Sequence, residues 1–327
     1  MSTVYSPEEK VADRALHGPV ALIAGPTASG KSDLAIELAL QLHARRRDAV
    51  IINADSMQVY SDLQVVSARP TAEEMRGVPH RLFGIWDGAH ACSTADWAAA
   101  AKEEVDQTHA DGAIPILVGG TGLYLQTLLE GIAPIPEIAN DTRSRVRSLA
   151  KDELRKNLVE LDPQAMSRIG ENDTQRMSRA LEVVLSTGKT LGHWQKYKTG
   201  GIQQEIDLHP LIMLPEREWL YSRCNARFEW MLDNGAMDEV AKLLERQLHP
   251  DLPVMRAIGV PEIAAEMASR SVDPGASLKE RGSASTRQYA KRQYTWFRNQ
   301  SPAWWPRDNG EGTKNAIISR HFELLLQ

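Results

Sequence analysis

Apolar residues cluster in short continuous runs that are separated by amphipathic stretches. Three runs have the length and composition of strands buried on both faces of a sheet: residues 20–24, 49–54 and 114–118. Leu34, Leu38 and Leu42 recur every four residues after the first run, which predicts one face of a helix. Further helices are predicted from about residue 94 to 110 and from residue 123. Strands and helices in alternation favour an α/β fold with a doubly wound parallel sheet flanked by helices.

The pattern changes near residue 136, where a proline-rich stretch leads into a charged segment with helical periodicity. Gly200 and Gly201 mark the end of that segment, and an apolar run at 209–214 predicts a strand that returns to the sheet. We therefore expect an inserted all-helical subdomain at residues 136–205 and a core formed by residues 1–135 and 206–327. Residues 1–18 are expected to be a polar, frayed lead-in.

The segment between the first strand and the first helix matches the phosphate-binding loop pattern Gly-x-x-x-x-Gly-Lys-Ser. The loop consists of Gly25, Pro26, Thr27, Ala28, Ser29, Gly30, Lys31 and Ser32. Glycines let backbone N–H groups turn toward an anion, and the helix N-terminus adds positive charge. Lys31 supplies a full positive charge, and the Ser32 hydroxyl suits Mg²⁺. The pattern is typical of ATP-binding and other nucleotide-binding proteins, and it predicts an oligophosphate ligand without identifying it.

Asp55 follows the second predicted strand directly. Ligands of open α/β sheets bind beyond the carboxyl ends of the strands, so we expect Asp55 on the same rim as the phosphate loop. The alternative is a helix N-cap or turn carboxylate. The third strand ends in Gly119-Gly-Thr121 rather than in an acidic ligand for Mg²⁺, which disfavours an NTP hydrolase. Asp55 is therefore interpreted as a proton acceptor that faces a phosphorylated ligand.

Two groups of basic residues allow alternative interpretations. Arg223 and Arg227 are four residues apart on one predicted helical face, where they are either solvated charges or groups that cover the phosphate site. Residues 281–307 contain six Arg or Lys and six aromatic residues but no Asp or Glu. This composition suits a nucleic-acid surface, and it equally suits a C-terminal helix with its aromatic residues in the core.

Composition is that of a soluble globular protein, with 42% hydrophobic and 25% charged residues in a chain of 327 and a net charge of −5. No apolar run is long enough to span a membrane, and the first nineteen residues do not resemble a signal or transit peptide, so we expect a cytoplasmic protein. Cys92 and Cys224, far apart in sequence, predict neither a disulfide framework nor a zinc site.

Five motifs together resemble the tRNA dimethylallyltransferases of the bacterial type: residues 25–32, 55–60, 119–124, 173–176 and 287–298. The resemblance extends over about residues 20–305, in the expected order. It implies a P-loop NTPase-like sheet with a helical insertion that binds tRNA, together with Mg²⁺ as cofactor. The implied reaction transfers a dimethylallyl group from dimethylallyl diphosphate to N6 of the adenosine 3′-adjacent to the anticodon, and it releases pyrophosphate.

The resemblance also implies residue roles. Residues 25–32 would bind the diphosphate, and the catalytic residues would be Lys31, Asp55, Thr121 and Arg223. Asp55 would accept the N6 proton, and Thr121 would orient the reacting groups. The residues implied in tRNA binding are Asp55, Ser56, Met57, Gln58, Thr121, Arg143, Gln175, Arg176, Met177, Ser178, Arg179, Arg256, Lys291, Arg292, Gln293 and Arg298. The expected partner is the anticodon stem-loop, bound by a monomer.

The sequence departs from the family pattern at three places, and alternative functions stay open. The usual Gly-Tyr-Arg-Glu is replaced by Gly259-Val-Pro-Glu262, Arg69 stands where a lysine is usual, and Ser32 replaces a common threonine, which a Mg²⁺ ligand should tolerate. One alternative is an adenylate isopentenyltransferase that acts on free AMP or ATP. The others are a P-loop small-molecule kinase and a non-catalytic RNA-binding module.

Overall fold

The computed structural model describes residues 18–268 and 274–327. The chain divides into two compact units, one within Met1–Gln126 and Gln203–Gln327 and the other within Thr127–Ile202. Apart from Gly18, the lead-in predicted for residues 1–18 lies outside the described residues.

A six-stranded sheet forms the centre of the first unit over the described residues. Its strands are β1 (Pro19–Ala24), β2 (Ala49–Asn53), β3 (His80–Arg81), β4 (Ile114–Gly119), β5 (Asp207–Met213) and β6 (Arg307–Asp308). Their order is β3-β2-β4-β1-β5-β6, and all pairs are parallel. The four predicted strands are confirmed as β1, β2, β4 and β5. Since β1 and β4 are neighbours, the segments that come after them lie at the same edge of the sheet.

Fourteen α-helices occur over the described residues. They are α1 (Lys31–His43), α2 (Thr94–Ala110), α3 (Gly122–Glu130), α4 (Asn140–Arg147), α5 (Lys151–Leu161), α6 (Pro163–Arg168), α7 (Thr174–Thr187), α8 (Leu191–Trp194), α9 (Arg217–Asp233), α10 (Ala236–Glu245), α11 (Val260–Ala268), α12 (Pro274–Gln300), α13 (Lys314–His321) and α14 (Glu323–Leu326). A 3₁₀ turn at Pro253–Arg256 precedes α11. None of the described helices is both long and apolar enough to cross a membrane.

Helices cover the sheet on both faces. The leucines predicted to form one face of α1 are buried together with Ile317, Ile318 and Phe322 of the C-terminal segment. Elsewhere α2 places Trp97 in the core, where its indole N–H donates to the carbonyl oxygen of Asn53 at 2.9 Å. Trp97 stacks on Tyr124 with a centroid distance of 4.6 Å. This packing fixes the end of β2, from which the candidate site begins.

The second unit is helical and has its own small core. Val146, Leu154, Leu158 and Leu181 are buried against each other between α4, α5 and α7. Asp173 caps α7 by accepting a hydrogen bond from the backbone N–H of Arg176 at 3.1 Å. Short amphipathic helices with capped ends explain why this segment folds as a separate cluster.

Candidate active site

The phosphate loop joins the end of β1 to the start of α1. Gly25 has φ +156°, and a Cβ there would collide with the carbonyl oxygen of Met213, so only glycine fits. Gly30, with φ +88°, is the N-cap of α1. The open N-terminus of α1 therefore borders a cavity of about 450 Å³, where its N–H groups and dipole favour an anion.

Lys31 is buried in the first turn of α1. Its ammonium donates a hydrogen bond to the carbonyl oxygen of Pro26 at 3.1 Å. Burial lowers the pKa of Lys31 from its usual 10.5 to about 8, against the negative charge of Asp55, which raises it. The ammonium of Lys31 is paired only with a neutral carbonyl in this bond and lines the cavity, so it is well placed to bind a negatively charged phosphate oxygen.

Asp55 lies on the same rim, as the sequence predicts. Its backbone N–H donates to Oδ1 of Asn53 at 2.9 Å, and its own Oδ1 accepts from the backbone N–H of Met57 at 3.0 Å. Asn53 is itself held by its bond to the carbonyl oxygen of Leu82 at 3.1 Å. The carboxylate is therefore held in place at the wall of the cavity.

Two cavities meet at three residues. Thr27, Asp55 and Arg227 line the large cavity beside the phosphate loop and also a second cavity of about 50 Å³. The second cavity is bordered by Met57 and Tyr289 and not by Lys31. Asp55 thus lies between a space suited to phosphate and a separate space.

Thr121 connects the ends of β2 and β4. Its hydroxyl accepts from the backbone N–H of Ser56 at 2.9 Å and donates to the Ser56 hydroxyl at 3.2 Å. Gly119 permits this approach, because a Cβ there would collide with the carbonyl of Ala54. The phenol of Tyr289, from α12, lies near the side chains of Thr121 and Ser56, and burial raises the pKa of that phenol. Tyr289 was not predicted as a site residue, although it lies in one of the motifs.

The two arginines of α9 both reach the large cavity. Arg223 is exposed and lies over the ring of Trp219 at 5.6 Å. Arg227 is half-buried, and its guanidinium donates to the carbonyl oxygen of Ser67 at 3.3 Å. Desolvation lowers the pKa of Arg227, while the charge of Asp55 raises it. Arg227 is not among the site residues that the resemblance implies, although its spacing from Arg223 left open that both cover the phosphate site.

Gln293 occupies a position inside the protein. Its Oε1 accepts from the backbone N–H of Thr27 at 2.7 Å, and its Nε2 donates to the carbonyl oxygen of Gly120 at 2.8 Å. The side chain is only 5% exposed. Both ends of the amide are thus used to join the phosphate loop to the end of β4, which corrects the expectation that Gln293 forms part of a tRNA-binding surface.

The other residues of α12 differ in exposure according to the face of the helix on which they lie. Lys291, Arg292 and Arg298 are exposed, whereas Phe297 is fully buried. Trp296 packs on Gly122, where a Cβ would collide with its ring. Phe297 therefore fits the core interpretation of this segment, while the exposed basic residues are compatible with the nucleic-acid interpretation, which stays a prediction.

The predicted tRNA-binding residues of the helical unit also differ in exposure. Gln175, Arg176 and Arg179 are exposed, while Arg143 and Ser178 are half-buried. Arg176 pairs with Asp173 at 3.3 Å, and Arg179 lies 3.8 Å from the buried carboxylate of Glu182. Met177 is fully buried in the core of the unit, so its side chain packs and is not available to a nucleic acid.

Arg256, Glu262 of the altered motif and the unusual Arg69 each make defined contacts within the protein. Arg256 is exposed and pairs with Asp251. Glu262 accepts the backbone N–H of Gly259 at 2.9 Å, which helps to cap the start of α11. Arg69 is half-buried and donates to the carbonyl oxygen of Leu63 at 3.2 Å, and burial lowers its pKa.

Within residues 18–268 and 274–327, no three His, Cys, Asp or Glu side chains are grouped in a way that would hold a metal ion. Ser32 is exposed at the large cavity, next to Lys31. A single hydroxyl is too few ligands to hold Mg²⁺ by itself. It fits Mg²⁺ that is bound together with a phosphate, because the phosphate oxygens then supply further ligands.

A parallel sheet whose first strand leads through a glycine loop into a helix with a buried lysine defines a P-loop phosphate-binding protein. A family model described as IPP transferase matches residues 58–300. The tRNA dimethylallyltransferase of Erythrobacter litoralis is 62% identical over 309 residues, which cover 94% of this chain and 96% of that protein. The chain belongs to the IPP transferase family.

Other known proteins agree with this assignment. The tRNA dimethylallyltransferase of Novosphingobium aromaticivorans is 57% identical over 283 residues, or 86% of this chain and 99% of that protein. The crystal structure of a tRNA isopentenylpyrophosphate transferase from Bacillus halodurans has a TM-score of 0.66 at 31% identity, covering 94% and 95% of the two chains. A eukaryotic dimethylallyltransferase described as acting on tRNA has a TM-score of 0.73 at 29% identity, covering 86% of this chain and 70% of that one.

Proposed function

We propose that this chain transfers a dimethylallyl group from dimethylallyl diphosphate to N6 of the adenosine 3′-adjacent to the anticodon of tRNA. The observation that carries the proposal is the position of Asp55 between the cavity beside the phosphate loop and the second cavity. A base between two spaces can take a proton from one substrate while the other loses its leaving group.

The large cavity would bind the diphosphate. It is bordered by Thr27, Ala28, Gly30 and Ser32 of the loop and by three basic residues, Lys31, Arg223 and Arg227. As the bond between C1 of the allyl group and the diphosphate oxygen breaks, negative charge grows on the departing pyrophosphate. Cations and N–H groups already in place stabilise that charge without reorganising.

The acceptor would approach from the side of Asp55. The exocyclic amine of adenine is a weak nucleophile because its lone pair is delocalised into the ring. In the reaction N6 bonds to C1, pyrophosphate leaves, and the N6 proton goes to the carboxylate of Asp55. Thr121 is held by its hydrogen bonds with Ser56, so its hydroxyl would orient the acceptor, with Met57 and Gln58 beside it.

Mg²⁺ would be held by Ser32 and the oxygens of the diphosphate. When it is bound, the ion neutralises charge on the leaving group. No carboxylate of the chain is required for this, in agreement with the Gly-Gly-Thr sequence at the end of β4.

The tRNA would be bound by exposed or half-buried polar and basic residues of each unit. They are Arg143, Gln175, Arg176, Ser178, Arg179, Arg256, Lys291, Arg292 and Arg298. The target base must leave its stack to reach Asp55. We assign Gln293 and Met177 positioning and packing roles in place of contacts to tRNA. The proposal includes the anticodon stem-loop as partner, a monomeric state and a cytoplasmic location.

Labelled dimethylallyl diphosphate, supplied with unmodified tRNA and separately with AMP, tests the proposal. We expect label on tRNA and none on AMP. Label on AMP alone would support the adenylate isopentenyltransferase. An enzyme that acts on so small an acceptor would not need the exposed basic residues of α12. Transfer of phosphate from ATP to a small molecule, without prenyl transfer, would support the kinase.

A further inference from the structure

Glu239, in the first turns of α10, binds three consecutive backbone amides of a distant loop. Its Oε1 accepts from the N–H groups of Gln64 and Val65 at 2.6 and 2.9 Å, and its Oε2 accepts from Val66 at 2.8 Å. Hydrogen bonds to a carboxylate are shorter and about twice as strong as those between neutral groups. A single side chain therefore holds this turn of the loop to α10.

The loop that Glu239 holds supplies acceptors to the active site. The carbonyl oxygen of Ser67 accepts from Arg227 at 3.3 Å and from Nε2 of Gln58 at 3.1 Å. The carbonyl oxygen of Ala68 accepts from the same nitrogen of Gln58 at 2.9 Å. Arg227 and Gln58 both line the large cavity, so their orientation depends on where residues 67 and 68 lie.

We propose that Glu239 is a positioning residue for the diphosphate site, acting through residues 64–68 on Arg227 and Gln58. The inference rests on the proposed function, since it takes the large cavity as the diphosphate site. Glu239 does not line that cavity, and its effect is carried by the backbone of the loop. Without the carboxylate, three amides lose their acceptor, and the carbonyl that orients Arg227 is no longer fixed.

Binding of inorganic pyrophosphate to the full chain, measured by calorimetry, tests this positioning role. In Glu239→Gln one oxygen is replaced by an N–H donor that repels the amides, and we expect affinity to fall about tenfold. Glu245→Gln, an exposed position on the same helix, is the matched control and should bind like the natural protein. Unchanged affinity in Glu239→Gln would overturn the proposal.

A double-mutant cycle separates positioning from general loss of stability. If Glu239 acts through Arg227, Glu239→Gln should weaken pyrophosphate binding much less in an Arg227→Ala background than in the natural protein. Fully additive losses would contradict the proposed route. Because inorganic pyrophosphate is the probe, a protein that binds it as expected but does not prenylate tRNA would contradict the proposed function and leave this inference intact.

Hydrogen exchange in the unmodified protein gives a result even where Glu239→Gln does not fold. The amides of Gln64, Val65 and Val66 should exchange slowly, and bound pyrophosphate should slow them further. Exchange at the rate of an unstructured peptide would show that the carboxylate does not hold the loop.

Discussion

The hydroxyl of Thr121 accepts a hydrogen bond from the backbone N–H of Ser56 at 2.9 Å. These residues come after β4 and β2, which are adjacent strands of the sheet. The bond therefore ties the segment that carries Asp55 to the neighbouring strand end.

Thr121→Val keeps the shape of the side chain but removes this acceptor. We expect kcat for tRNA prenylation to fall about tenfold to a hundredfold, because the unpaired N–H of Ser56 lets the neighbouring carboxylate move. Thr121→Ser keeps the oxygen and should retain most of the activity. A loss of activity in Thr121→Ser but not in Thr121→Val would point to the methyl group instead.

Asp55→Asn tests the proton acceptor. The amide has almost the same shape but cannot take a proton, so kcat should fall by about 10²–10⁴ while the Kd for tRNA changes little. Single-turnover kinetics and filter binding measure the two quantities separately. A variant that prenylates tRNA at full rate would remove Asp55 from the mechanism.

The lowered pKa of Lys31 predicts a pH-dependent stability. Since the folded-state value of about 8 lies below the usual 10.5, the unfolded chain binds more protons between these values, and the free energy of unfolding rises with pH over that window. Below pH 8 the cost of the buried ammonium is fully present. Lys31→Met should thus be more stable than the natural protein by about 2 kcal/mol at pH 7, and the difference should vanish near pH 10.5.

Urea unfolding at pH 7 and pH 10 measures this difference, with Lys242→Met, an exposed position of α10, as control. If Lys31→Met were more stable than the natural protein by the same amount at both pH values, the difference would come from packing or chain entropy and not from proton binding.

Arg227→Ala should weaken pyrophosphate binding more than Arg223→Ala. A cation that is desolvated beside the ligand interacts more strongly than one exposed at the rim, and we expect losses of about fiftyfold and about threefold. Calorimetry with inorganic pyrophosphate compares the two. The reverse order would make Arg223 the principal ligand, as the sequence implied.

Arg292 and Gln293 are neighbours in sequence on different faces of α12. Arg292→Ala should reduce the salt dependence of tRNA binding by about 0.7–0.9 in logarithmic slope, the value of one phosphate contact. Gln293→Leu should leave that slope unchanged and weaken pyrophosphate binding, because it disconnects Thr27 from Gly120. An unaltered slope in Arg292→Ala would place its side chain outside the tRNA interface.

The strands, the phosphate loop and the rim position of Asp55 could be predicted because they depend on local pattern. Buried runs such as residues 114–118 have few alternatives to a parallel strand, and the end of a strand fixes the position of the next residues in the chain. Asn53 could not be foreseen as the residue that orients Asp55, since its partner, the carbonyl of Leu82, lies 29 positions away.

Long-range pairing explains why other site residues could not be predicted. The sequence does not distinguish Arg227 from Arg223, because both lie on the same predicted face of one helix. Arg227 is the half-buried one because the loop around Ser67 packs against it. Gln293 lies between basic residues and was grouped with them, yet its partner Thr27 is 266 positions away. Helical periodicity likewise cannot tell that Met177 faces the core of its own small unit.

Tyr289 and Gln293 are one helical turn apart on α12. The first lies near Thr121 and Ser56, and the second bonds to Thr27 and Gly120. A rotation or axial slip of this helix would break the bonds of Gln293 and would also move Tyr289 away from Thr121 and Ser56. A ligand that shifts α12 must therefore change the affinity of the phosphate loop for its own anion. Thermodynamic reciprocity then requires the anion, when it is bound, to change the affinity of the protein for the first ligand by the same factor.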